Sequence, residues 1–199
     1  VVLSTTYLTK LVPAYEIFDL PYLFYDETAL SNYATGVYSR RALEALDDVE
    51  FCGVGFVGNG YYYFLQSKGK LGESGNWSGL LMRGPQRMLY QQGLNYIGVT
   101  LVDENSVNSA FNSRMVDEAT VKKLIAQQVI DENVCLNDVE MFYQLEIALC
   151  HQSWWENLTI EEQTILKEAM VDTLIDHLYQ QKNSILAERF PEGGVTLDA

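Results

Sequence analysis

Trp77-Ser78-Gly79-Leu80-Leu81-Met82-Arg83-Gly84-Pro85 reads as a turn, a short apolar strand and an immediate stop. Gly79 opens the strand, Leu80 to Met82 form it, and Gly84-Pro85 ends it. Pro85 suits the first position of a helix over Gln86 to Gln92, where its missing N–H would be an orphan in any case. This reading puts Arg83 where a buried strand meets a helix N-terminus. A guanidinium and exposed helix N–H groups both attract anions, and the planar fork matches a carboxylate. The same residues also fit an ordinary surface arginine at a strand end, because charged side chains are mostly exposed.

Working outward, the chain alternates short strands and helices. Val1 to Ser4 is strand-like, and Thr5-Thr6-Tyr7 reads as a polar, aromatic loop. Ile17 to Phe24 is an apolar segment broken by Pro21, expected as a core-anchored loop. Asp26 can cap a helix whose Leu30, Tyr33, Ala34 and Val37 share a face, and a second helical piece spans Ser39 to Leu46. Phe51 to Val57 is a strand whose glycines suggest close backbone approach. Asn59-Gly60 is a turn signal, followed by the aromatic run Tyr61-Tyr62-Tyr63-Phe64. In a strand, Tyr61 and Tyr63 face one way and Tyr62 and Phe64 the other. Such a run fits a packed strand or a pocket wall, since tyrosine offers both apolar area and a hydroxyl.

Beyond Pro85, Gly93 reads as a helix stop, with a strand near Tyr96 to Thr100. Asp103 or Asn105 caps a helix carrying Val107, Ala110 and Phe111. Met115-Val116-Asp117 is a short strand and Val121 to Ile130 a helix. Phe142 to His151 alternates most clearly, with Tyr143, Leu145, Ile147 and Leu149 on one face. Thr159 and Glu162 make a capping box for a long helix to about Ala187, and Val195 to Leu197 begins another strand. This alternation implies a mostly parallel α/β sheet.

Bulk properties narrow the function. The 199 residues suit one large domain or two small lobes, and 48% hydrophobic with 20% charged content permits an ordinary core. A net charge of -14 argues against nucleic acid and anionic membrane surfaces as partners. It leaves room for a small anion, which reads only the local field. No run is long and apolar enough to span a bilayer, and no signal peptide is visible. Cys52, Cys135 and Cys150 show no metal spacing and read as buried thiols, with a Cys135–Cys150 disulfide left open. Glu140, Glu146 and His151 have no diagnostic ligand pattern. An enzyme would need a nucleophile, a base and an orienter. Only His151 and His177 are present, without a G-x-S-x-G or H-E-x-x-H motif, so neither catalysis nor a metal or other cofactor is expected. The sequons at Asn76-Trp77-Ser78 and Asn157-Leu158-Thr159 are common by chance.

The order of motifs resembles a family, the solute receptors of the TRAP (tripartite ATP-independent periplasmic) transporters. Tyr15-Glu16-Ile17-Phe18-Asp19-Leu20-Pro21-Tyr22-Leu23-Phe24 matches the family's "vfdLPflF". Asn59-Gly60-Tyr61 matches "nGfR", and Trp77 to Pro85 matches "lkGlKiRvp". Met115-Val116-Asp117 resembles "vvDG", and Trp154 to Gln163 resembles "W..Lp.edQ". The resemblance implies a periplasmic-binding-protein-like α/β fold with two lobes and a long hinge-spanning C-terminal helix. It places residues 1–57 in the first lobe, 58–132 in the second, and 133–199 in hinge strands and the long helix. It implies a bacterial periplasmic receptor that closes on a small organic acid and passes it to TRAP permease subunits, without entering the membrane itself. The family's arginine in "KiRvp" pairs with the ligand carboxylate and falls on Arg83. The expected ligand-binding set is Arg83, Tyr62, Tyr7, Gln86, Tyr61 and Asn59. Tyr62 replaces the family's "nGfR" arginine, and the asparagine of "vvDGqeN" has no counterpart in Glu118-Ala119-Thr120. Tyrosines around one arginine suit an aromatic or bulky monocarboxylate. The match covers the middle of such a receptor, so part of one, or a shortened relative, is expected. The alternative is a ligand-sensing or structural lobe that needs a partner chain.

Overall fold

The computed structural model describes residues 1–66, 79–103, 113–127 and 135–189. Its strands are β1 (Val2–Ser4), β2 (Phe51–Gln66), β3 (Leu81–Arg83), β4 (Thr100–Val102), β5 (Ser113–Val116) and β6 (Cys135–His151). Its helices are α1 (Thr5–Leu8), α2 (Glu27–Thr35), α3 (Val37–Glu44), α4 (Met88–Tyr96), α5 (Glu118–Ala126), α6 (Gln152–Glu156) and α7 (Ile160–Arg189), with a 3-10 segment at Pro13–Asp19. The strands form one sheet in the order β1-β6-β2-β5-β3-β4.

The mixed α/β architecture stands, but the sheet is not mostly parallel. β1–β6, β6–β2 and β2–β5 are antiparallel, and only β3–β4 and β3–β5 are parallel. Alternation of strands and helices carries no direction for long strands that pair far apart in sequence, and β2 and β6 are such a pair. Asn59-Gly60 does not turn the chain. Both flanks pair with β6, so the left-handed Gly60 (φ 80) is absorbed as an irregularity between Gly58 and Tyr61.

Two main cores share the β2–β6 ribbon. The first holds Tyr15, Phe18, Phe24, Phe56, Tyr143, Leu145, Ile147 and Leu149, the face expected of β6. The second holds Phe64, Met82, Tyr90, Leu94, Leu101, Met115 and Phe142. Tyr61 and its register partner Tyr143 belong to the first core, and their chain neighbours Tyr62 and Phe142 to the second. Successive strand residues point to opposite faces, so the ribbon hands one face to each core. Tyr63 departs from Tyr61 and packs with Val116 and Val121, because the register slips between them.

Local chemistry starts the helices. Asp26 Oδ1 accepts from Ala29 N at 2.7 Å and caps α2. Thr159 N donates to Glu162 at 2.8 Å and Glu162 N to Thr159 Oγ1 at 3.3 Å, the capping box expected before α7. Thr5 to Leu8 is a helical turn rather than a loop, because Ser4 Oγ accepts from Thr6 N. Gly93 lies inside α4, where a Cβ would come within 2.5 Å of Pro21 Cγ. Gly98 (φ 83) instead follows the helix end. The strand expected near Tyr96 therefore begins only at Thr100. On β2, a Cβ at Gly55 would meet Met170 Cβ at 2.5 Å, which is the close approach of α7 that the glycines suggested.

Cys52 and Cys150 are free thiols. Cys135 and Cys150 occupy one continuous strand, so their Cα atoms lie tens of ångströms apart at about 3.3 Å per residue. A disulfide needs less than about 7 Å, so that pairing is excluded. The expected helix around Val107 to Phe111, the strand at Val195 to Leu197, and Trp77-Ser78 with its sequon lie outside the described residues.

Candidate functional site

Arg83 ends β3, the central strand of the parallel trio β5-β3-β4. Its register partners are Val102, at the carboxyl end of β4, and Arg114, the second residue of β5, which runs on to Val116. In open α/β sheets ligands bind beyond the carboxyl ends of parallel strands, and β3 and β4 end together here. Arg83 is half-buried and Arg114 exposed. Register partners share a face of the sheet, so two arginines stand next to each other there. The trio's third strand leads to Asp117, whose carboxylate caps α5 by accepting from Thr120 N at 2.7 Å. Gly84 lets the chain leave the sheet tightly, because a Cβ there would meet Leu101 and Met115 at 3.0 Å.

The helix after Pro85 starts later than its sequence suggests. α4 begins at Met88, with an extended Arg87 at its N-cap, so Arg83 does not sit at a helix N-terminus. The delay has a cause. Arg87 reaches away to Asp19, with Nε at 2.9 Å and a terminal nitrogen at 2.8 Å from Oδ2, and both terminal nitrogens contact Thr9 Oγ1. Asp19 is 3% exposed. Burial raises its pKa, opposed by the Arg87 guanidinium and by a hydrogen bond from Tyr90. The Tyr90 hydroxyl is itself pushed well above its usual value, chiefly by burial and then by Tyr62 and Asp19. Thr9, Asp19, Arg87 and Tyr90 thus join the chain after α1 and the 3-10 segment to α4. Sequence reasoning missed this bridge, because nothing local links Asp19 to a residue 68 positions away.

The other expected site residues divide. Gln86 is exposed beside Arg87, with its amide donating to Gly84 O at 3.4 Å. Tyr7 is 73% exposed on α1, two positions before Thr9. Tyr62 is half-buried, edge-on to Tyr90 at 5.9 Å. These three lie on the segments that the Arg87 bridge joins, or pack against it. Tyr61 turns the other way: its hydroxyl donates to Phe24 O at 2.9 Å and its ring meets Tyr143 edge-on at 4.9 Å. Asn59 donates to Glu146 at 3.3 Å, and burial raises the Glu146 carboxyl pKa. The His151 ring caps α6 by accepting from Ser153 N, which accounts for it structurally. A separate cavity of about 530 Å³ lies between α3, β2, α6 and α7, over Cys52, Phe56, Trp155 and Leu174, and no expected site residue lines it. Among the described residues no group of acidic, His or Cys side chains could hold a metal ion.

A family model matches residues 1–199, that of DctP, the bacterial extracellular solute-binding proteins of family 7. The chain belongs to this family. The C4-dicarboxylate-binding protein DctB of Bacillus subtilis (strain 168) is 25% identical over 175 residues, 85% of this chain and 50% of the relative. The C4-dicarboxylate-binding periplasmic protein DctP of Rhodobacter capsulatus is 22% identical over 191 residues, 93% of this chain and 57% of the relative. The chain thus spans about half the length of these relatives. A TRAP periplasmic solute-binding protein from Ochrobactrum anthropi shares the fold with a TM-score of 0.79 at 18% identity, over 94% of this chain and 61% of that one. Another, from Pseudomonas aeruginosa PAO1 with bound L-malate, has a TM-score of 0.60 at 15% identity, over 92% and 64%. The family is one of solute-binding proteins rather than enzymes. No helix among the described residues is long and apolar enough to cross a membrane.

Proposed function

We propose that this DctP-family chain is the binding portion of a periplasmic receptor that holds a small organic acid at Arg83 and delivers it to TRAP permease subunits. One observation carries the reading: Arg83 occupies the carboxyl end of the central parallel strand, with Arg114 in register beside it. A planar guanidinium there offers two parallel hydrogen bonds to a carboxylate. The ligands of similar proteins, C4-dicarboxylates and L-malate, are carboxylates. The first lobe comprises residues 1–57 and the second 58–132, with 133–199 spanning both. Closure of one lobe on the other would supply the differential affinity that ligand binding needs to shift an open–closed equilibrium.

Tyr62, Tyr7 and Gln86 complete the site from the segments around the Arg87 bridge. Tyr62 in place of a second arginine favours a monocarboxylate with an aromatic or bulky body over a dicarboxylate. Tyr61 and Asn59 act as supports behind it, through Phe24 and Glu146. The test is calorimetric titration of the chain with succinate, malate, aliphatic sugar acids and phenyl-substituted acids. A phenyl-substituted acid is expected to bind most tightly, and Arg83→Ala to weaken it by about 2–5 kcal/mol. Succinate binding as well or better would overturn the ligand class. Unchanged affinity in Arg83→Ala would remove Arg83 from the site.

A further inference from the structure

Cys52 and Cys150 are register partners in the antiparallel β2–β6 ladder. Directly opposed residues in such a ladder have Cα atoms about 4.5–5.5 Å apart. That lies inside the window of about 4.4–6.8 Å that disulfides span without backbone movement. The flanking pairs Phe51–His151 and Gly53–Leu149 hold the register, and Gln152 N donates to Glu50 O at 3.0 Å just beyond them. The Cys150 thiol also donates to Cys52 O at 3.9 Å, which sets it against the partner strand at Cys52. Family membership places the chain among extracellular proteins, where disulfides form and persist.

We propose that Cys52 and Cys150 are a thiol pair built to close into a cross-strand disulfide that staples β2 to β6. The inference rests on strand register and is independent of the ligand assigned to Arg83. The reaction is exchange with a disulfide supplied from outside, either a small-molecule disulfide or an oxidised dithiol protein. Cys150 is half-buried and Cys52 only 7% exposed, so Cys150 attacks first. Its thiolate displaces one thiol of the reagent and leaves a mixed disulfide on Cys150. The Cys52 thiol then loses its proton and attacks the Cys150 sulfur, releasing the second reagent thiol. Two protein thiols are oxidised and one reagent disulfide is reduced to two thiols.

The surroundings set the order and the pace. Burial pushes the Cys52 thiol up to about 11, with Cys150 and Asp47 adding to it and Lys167 opposing. Burial also raises Cys150, opposed by the terminal amino group and by Cys52. Both groups are therefore mostly thiol at neutral pH, and closure is slow without a catalyst. Cys135 cannot compete within the chain, because it lies at the opposite end of β6, in register with Gln66.

The test uses the folded full chain carrying Cys135→Ala, incubated with oxidised glutathione, then alkylated in denaturant and digested. The expected result is a monomer lighter by two hydrogens, a Cys52–Cys150 cross-linked peptide, and full reversal by dithiothreitol. The Cys52→Ala partner variant should stop at a stable glutathione adduct on Cys150. Alkylation of both cysteines after prolonged oxidation would overturn the proposal. A lasting glutathione adduct on Cys150 with Cys52 intact and still alkylatable would overturn it too.

Discussion

The two main cores on the β2–β6 ribbon are built differently. The first is crowded with aromatic rings: Phe18, Phe24, Tyr33 and Phe56 meet at tilted or edge-on angles with centroids 5.3–5.9 Å apart. It packs on antiparallel strands that read alternately apolar, and α7 presses so close that β2 carries glycine at Gly55. The second core uses Met82, Met115, Leu94 and Leu101 beneath a short parallel trio in which β3 and β4 end side by side. The first region spends its chemistry on packing, and the second leaves a charged strand end at the surface of its sheet. The difference is why the proposed binding site is placed at the end of β3, and not where the sequence is richest in tyrosine.

The bridge between the regions should be the most sensitive point. Arg87→Ala leaves the buried Asp19 without its guanidinium and is expected to destabilise the fold by about 3–5 kcal/mol. Chemical denaturation checks this. The deficit should depend on pH in a definite direction. Asp19 already has a raised pKa, and removing Arg87 raises it further. A group raised in the folded state stabilises most at low pH, below its unfolded value, and that contribution is lost as pH climbs through the folded value. The variant should therefore fall further behind the parent between acid and neutral pH. A constant gap would show that Asp19 is not the group left exposed to the loss. Replacing both residues by apolar ones of similar volume should lose less than Arg87→Ala alone.

Next in size is a separation of roles between the regions. Arg83→Ala should weaken carboxylate binding by about 2–5 kcal/mol, whereas Tyr61→Phe should remove only the bond to Phe24 O, about 1 kcal/mol of stability. Titration and thermal melting of the two variants test the contrast, and a Tyr61→Phe chain that binds as weakly as Arg83→Ala would erase it. Gly55→Ala drives a methyl into Met170 and should destabilise the first core by about 1–3 kcal/mol, leaving the strand ends of the second untouched. The smallest effect expected is from Asp26→Ala, which removes the α2 cap and should lower stability by about 1 kcal/mol in denaturant melts.

Much of the fold was legible in local pattern. The alternation of β6, the Asp26 cap and the Thr159–Glu162 box depend on neighbours within four residues, and each is found where the sequence places it. Local rules failed where a distant partner outbid them. Pro85 should open a helix, but Arg87 is drawn out to Asp19, and α4 waits until Met88. Gly93 looks like a stop but serves the approach of Pro21. Asn59-Gly60 looks like a turn, but both its flanks pair with β6 and the strand runs on with an irregular register. The candidate site followed the same rule. Arg83 at the end of a short strand was readable from its own nine residues, whereas Arg114 beside it was not, since strand order is not written in either segment.

By itself the sequence determined the elements whose causes are local, the family to which the motifs belong, and the arginine at the strand end. Only the tertiary structure decided which strands run together, that Tyr61 and Tyr62 serve opposite cores, that Arg87 is committed to Asp19, and that Cys52 faces Cys150. The physical reason is range. Caps, alternation and turn chemistry act over a few residues, whereas pairing, burial and ion pairs are settled by surfaces that meet only after the chain has folded.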